Sequence, residues 1–161
     1  MKSNRVLAQL LAVGALLLTG CAYDVPLTEK PTRQVDERLL GVWVADNKED
    51  KPEGLMVVRK FDDSTYVVAI DNDIYRVFHS DFAGTAFLSV QNLKAGSDDR
   101  KYVYYVWQLS ADGTQLTLKD VSSDVVPEKS KGRAALQKLI KANLANPKLY
   151  GDTLVFTPKK R

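Results

Sequence analysis

His79, Ser80 and Asp81 stand side by side, the three residue types of a nucleophile, its base and the acid that orients it. Acyl-transfer chemistry would need a serine oxygen within hydrogen-bonding reach of the imidazole. Neighbours on an extended chain point to opposite sides, so His79 and Ser80 cannot serve each other. Another serine would have to cross to His79, and no Gly-x-Ser-x-Gly elbow occurs in the chain. Paired carboxylates at Asp62-Asp63, Asp71/Asp73 and Asp98-Asp99 have the composition of a glycosidase pair. All three pairs fall at turn positions, where Asp serves local backbone hydrogen bonds, and none has the Asp-x-Asp-x-Asp-Gly spacing of a calcium loop. One histidine and one cysteine exclude a metal centre built from either and any intramolecular disulfide. The expectation is a protein that is not an enzyme, with no catalytic residue, metal or cofactor.

The aromatic run Tyr102, Tyr104, Tyr105 and Trp107 offers binding chemistry instead. On a strand, Tyr102 and Tyr104 share one face while Tyr105 and Trp107 share the other. One face belongs in a core. If the other is open to solvent, it is a candidate surface for lipid, glycan or a protein partner. Nucleic acid is excluded as a partner: 23 basic against 20 acidic residues give a net charge of +3, and Lys2 and Arg5 alone supply two of those charges. The terminal Lys159-Lys160-Arg161 reads as a solvated end, or as one resting on anionic phosphate at a membrane surface.

The single cysteine has its own context. Lys2 and Arg5 precede an apolar run, Val6–Leu18, broken only by Gln9 and Gly14. As a helix, such a run rises about 20 Å, short of the ~30 Å hydrocarbon core, so a signal peptide fits better than a membrane span. It ends Leu18-Thr19-Gly20-Cys21, which resembles the lipid-attachment box of bacterial lipoproteins. The resemblance implies cleavage after Gly20, diacylglycerol on the Cys21 thiol and acylation of the new amine. A thiol suits that role because it ionises easily and is strongly nucleophilic. Two or more acyl chains anchor stably, at about 0.8 kcal/mol per buried CH₂. In lipoproteins of this kind Ala22, rather than Asp, implies export to the outer membrane, facing the periplasm. Residues 1–20 are then signal peptide, and residues 21–35 are the lipidated N-terminus and a flexible tether. Pro26, Pro31 and scattered charges without periodicity give that stretch little to bury. Fully extended, it would reach roughly 45–50 Å.

Residues 36–161 must form the folded unit. Eight strand-like runs recur at roughly ten-residue spacing: Gly41–Val44, Leu55–Arg59, Ser64–Ile70, Ile74–His79, Thr85–Gln91, Tyr102–Leu109, Gln115–Val121 and Thr153–Thr157. Turn residues separate them, including Asp71-Asn72-Asp73 and Ala111-Asp112-Gly113. The pattern predicts a mainly β fold: a single antiparallel eight-stranded barrel. Ser130–Ala145 places Leu136, Leu139, Ile140 and Leu144 at helical spacing, so one C-terminal amphipathic helix precedes the last strand and plugs a barrel end or lies on its wall.

Gly41-x-Trp43 is similar to the Gly-x-Trp signature of lipocalins and other calycins, although the second lipocalin signature, Thr-Asp-Tyr before a late strand, has no match. The resemblance implies that Trp43 closes the barrel bottom from the first strand and that Gly41 admits a neighbouring backbone. The chain also resembles small proteobacterial lipoproteins without assigned activity. It does so through Leu39-Leu40-Gly41-x-Trp43, His79-Ser80-Asp81, Phe87-Leu88-Ser89-Val90-Gln91 and Asn143-Leu144-Ala145-Asn146-Pro147. Together these readings predict a non-catalytic binding or structural module, held to a membrane by lipid and engaging a hydrophobic ligand or an envelope protein. The alternative is an inhibitor or chaperone of cell-wall enzymes. A barrel interior of a few hundred Å³ would favour ligand carriage; a filled one would leave the protein partner.

Overall fold

Alternation of large apolar and polar residues along short runs leaves each run one face to bury, and eight such runs bury their faces together by closing a ring. The computed structural model describes residues 22–46, 54–93, 96, 100–130 and 132–159. Its strands are β1 (Gly41–Ala45), β2 (Leu55–Lys60), β3 (Thr65–Ile70), β4 (Asp73–His79), β5 (Phe87–Asn92), β6 (Tyr102–Leu109), β7 (Leu116–Val121) and β8 (Tyr150–Pro158), with one helix, α1 (Arg133–Asn143), between the last two. Each strand pairs antiparallel with the next, and β8 returns to β1 to complete a closed barrel. The expected mainly β barrel with a helix before its last strand is the fold.

Boundaries move where local chemistry intervenes. β5 begins at Phe87 rather than Thr85, because Phe82 and Thr85 exchange both backbone hydrogen bonds across Ala83 (φ 50°) and Gly84 (φ 81°). α1 is shorter than the apolar spacing suggested: Gly132, at φ 82°, precedes it without a side-chain cap. Beyond it, Asn146 accepts from Lys148 N and caps a 3-10 turn at Pro147–Leu149.

The sheet separates two apolar clusters. Inside lie Trp43, Met56, Val58, Tyr66, Val68, Tyr75, Val77, Leu88, Tyr105, Trp107, Leu116, Leu118 and Phe156. Outside, α1 lays Leu136 and Ile140 against Phe87, Tyr104 and Val121, so it covers the wall rather than plugging an end.

The N-terminal stretch is not a flexible tether. Tyr23 and Leu27 are completely buried in the outer cluster. Tyr23 and Tyr102 exchange backbone hydrogen bonds at 2.8 and 2.7 Å. Arg133 Nε donates to Pro26 O, Gln137 Nε2 to Leu27 O and Tyr104 Oη to Val25 O. Further along, Thr32 N donates to His79 O, and Val35 N to Asp63 O. Residues 22–36 therefore form a strap along the outer wall. Prolines do not prevent this, because an extended strap needs no continuous ladder and supplies few backbone donors.

The strap runs from one end of the barrel to the other. It starts where β6 begins and β4 follows its turn, called here the Tyr102 end. It finishes at a 3-10 turn, Glu37–Leu39, that feeds β1 at the Gly41 end. Gly41 takes φ 142°, a region in which a side chain is strained, while no atom lies within 4 Å of where its Cβ would be. Glycine is thus required by conformation and not by a close neighbouring backbone. Gly41→Ala is expected to lose about 1–3 kcal/mol of stability. Urea unfolding checks this: the midpoint should fall at unchanged slope, whereas a midpoint equal to the parent's would refute the strain.

Candidate functional site

The Gly41 end is sealed by named contacts. Trp43 is buried and its Nε1–H donates to Leu39 O at 2.9 Å, tying the first strand to the turn before it. Beside it, the fully buried His79 points into the barrel, with its ring centroid 5.1 Å from that of Trp107. The Arg33 guanidinium of the strap lies 5.3 Å over the Trp107 ring. Asp36 N donates to Tyr66 Oη at 2.5 Å, and Tyr66 Oη meets His79 Nε2 at 2.7 Å. The phenol can donate its proton to Nε2 while receiving the Asp36 amide, and His79 Nδ1 is then a protonated ring nitrogen buried without a partner among the described residues. Burial, reinforced by Arg33, pushes the His79 pKa down to about 4, so the ring is neutral at pH 7. Burial raises Tyr66 to about 12.

The His-Ser-Asp triplet is dispersed. His79 reaches a phenol. Ser80 turns outward, 2.7 Å from Ser89 Oγ and 2.9 Å from Thr28 Oγ1 of the strap, and Ser89 Oγ receives Leu27 N at 3.2 Å. Asp81 binds Arg33 at 2.8 Å on the surface and receives nothing from His79. These groups fasten the strap to the wall. The carboxylate pairs do turn work: Asp62 accepts from Ser64 N at 2.8 Å, Asp63 pairs with Lys60 at 2.7 Å, and Asp71 adopts φ 51° in the β3–β4 turn. Asp98 and Asp99 lie outside the described residues, as do Gly20 and Cys21. No metal-sized cluster of His, Cys, Asp or Glu occurs among the described residues.

The aromatic run is not an exposed surface. Tyr105 and Trp107 fill the barrel, while Tyr104 is covered by the strap and Tyr102 packs partly buried against the same outer cluster. Tyr23 stacks on Tyr104 with ring centroids 4.6 Å apart and planes 2° from parallel, occupying the face that the sequence left open. Strap residues Tyr23, Leu27, Thr28 and Thr32 were the ones the sequence concealed. Their signal was the short alternation Tyr23, Val25, Leu27, interrupted by a charge and a proline.

The interior retains a cavity of about 60 Å³, bounded by side chains such as Met56, Val68, Ile70, Tyr75 and Leu118. Ligand pockets of this kind hold roughly 300–1,000 Å³. A larger concavity, about 510 Å³, opens on the outside at the Gly41 end between Arg38, Arg59 and Lys159, over Val42 and Gly113. No carboxylate lines it among the described residues. Arg38 donates along one guanidinium edge, Nε and Nη2, to the two carboxylate oxygens of Asp36 at 2.9 and 2.6 Å. Phe61, at 72% exposure, stands at the same end in the β2–β3 turn. Comparisons with protein-family models, with characterised proteins and with solved structures return no match for this chain.

Proposed function

We propose that the chain is an outer-membrane lipoprotein, anchored through Cys21 and facing the periplasm, that acts without catalysis as a binding module for an envelope protein. The observation that carries the choice of a protein over a hydrophobic ligand is the filled interior: about 60 Å³ has no room for an acyl chain. The surface at the Gly41 end supplies the recognition chemistry. Its cationic groove, with Arg38, Arg59 and Lys159, and the exposed Phe61 suit an acidic partner face carrying an apolar contact. Support for the calycin resemblance comes from Trp43, which closes this end from the first strand.

Two measurements test the reading. Labelled palmitate should enter the parent chain and be absent from Cys21→Ser, which should also leave the membrane fraction. A Cys21→Ser chain that sediments like the parent would remove the anchor. Crosslinking from Phe61 in intact envelopes should capture a protein that Arg59→Glu with Lys159→Glu no longer retains; equal capture by the doubly reversed chain would remove the docking face.

A further inference from the structure

The strap changes what the anchor does. Cys21 is two residues before Tyr23, and two residues span at most about 7 Å. Tyr23 is immobilised on four counts. Its backbone pairs with Tyr102 in both directions, its ring stacks on Tyr104, its hydroxyl donates to Val126 O at 2.8 Å, and its surface is wholly buried. Ala22 N is itself 3.3 Å from Glu128 Oε1, and Asp24 pairs with Lys101. A lipid carried on Cys21 would therefore enter a bilayer close to the Tyr102 end, where β6 begins.

We infer that this end of the barrel is a bilayer-contacting surface, seated on lipid headgroups by the clamped strap, with the Gly41 end held away from the membrane. The inference rests on lipid attachment at Cys21 as read above. The occupant is set by covalent continuity: whatever Cys21 enters must lie within two residues of the wall at Tyr102. One described feature at this end agrees. Ile74, 48% exposed and one of two large apolar side chains exposed in the described structure, follows the β3–β4 turn. The other, Phe61, belongs to the opposite end. Lys159 leaves β8 at the Gly41 end, where its N–H binds Val42 O at 2.8 Å. Strands of five to nine residues, tilted as a barrel requires, make a body roughly 15–25 Å tall. A free fourteen-residue tether would sweep roughly 45–50 Å. The clamped barrel instead offers its cationic groove at one height, so the partner must itself reside within about 25 Å of the same bilayer.

Because the one native cysteine carries the lipid, a single introduced cysteine can be labelled alone. Natively lipidated Asn72→Cys (Tyr102 end) and Phe61→Cys (Gly41 end) chains, each bearing a fluorophore, are inserted into phosphatidylethanolamine/phosphatidylglycerol vesicles containing nitroxide-headgroup lipid. Quenching at position 72 should exceed that at position 61 at least twofold. Ten Gly/Ser residues placed between Cys21 and Ala22 leave the strap seated but add about 17–19 Å of slack, and should bring the two positions to equal quenching. Equal quenching without the insertion overturns the inference. Mass spectrometry of the same chains separates the two failures: lipid present on Cys21 with equal quenching sinks only the orientation, and lipid absent sinks the anchor and the orientation together.

Discussion

Tyr23→Ala should destabilise the barrel by about 3–5 kcal/mol, as a core aromatic would, although it lies outside the eight strands and the helix. The substitution removes a ring stacked on Tyr104 and opens a void beside Leu136 and Ile140. It also strips Val126 O of its buried hydrogen-bond donor. In a chain of this length each kcal/mol moves the melting temperature by about 2–4 °C, so a fall near 10 °C is expected. Tyr23→Phe keeps the stack and loses the hydroxyl, for about 1–2 kcal/mol. Thermal unfolding of the chain lacking its first twenty-one residues measures both. A spacer would behave otherwise: exposed positions away from structure change stability by less than about 0.5 kcal/mol, and a value that small for Tyr23→Ala would refute the strap.

Acid should weaken the Gly41 end through His79. Unfolded, the imidazole takes a proton near its ordinary pKa of 6.5; folded, burial and Arg33 hold it neutral down to about 4. Between those values the unfolded chain binds more protons, so stability is full above about pH 6.5 and declines as pH falls toward 4. The total loss is on the order of 3 kcal/mol. Protonated Nε2 would also direct its hydrogen at Tyr66 Oη, which already receives Asp36 N, leaving the phenol proton without its acceptor. The strap's last turn loosens with it. Urea midpoints from pH 7.5 to 4 should trace this decline in the parent and flatten over the same interval in His79→Gln. Carboxylates such as Asp36, held below the usual range by Arg38, contribute loss only at lower pH, and so a slope that persists above pH 4.5 in the variant would assign the effect elsewhere.

The strands were legible because their burial is periodic. In β3, Tyr66, Val68 and Ile70 face inward as alternation requires, and the Asp71-Asn72 turn returns the chain in register. Trp43 was legible through its spacing from Gly41, although the reason for the glycine was not: φ 142° leaves no mark on composition. The strap was hidden for a related reason. Its alternation, Tyr23, Val25 and Leu27, is only five residues long and ends at prolines and charges, and its other attachments run through backbone atoms and hydroxyls that a pattern of apolar residues cannot register. The aromatic face of β6 was ambiguous on the same account. Knowing that Tyr104 lies outside the barrel does not reveal that Tyr23 will come to cover it. For His79 and Ser80, strand alternation alone predicted opposite destinations, and they have them.

The ring of eight strands has one more consequence. β8 hydrogen-bonds to β1 through Trp43–Ala45, which closes the ring, while the Tyr150–Leu154 stretch of β8 pairs with β7 alone among the described residues. That stretch is short and carries Gly151 and Asp152, residues that discourage a visiting strand from adding to it, so the closure leaves little flank for edge-to-edge pairing.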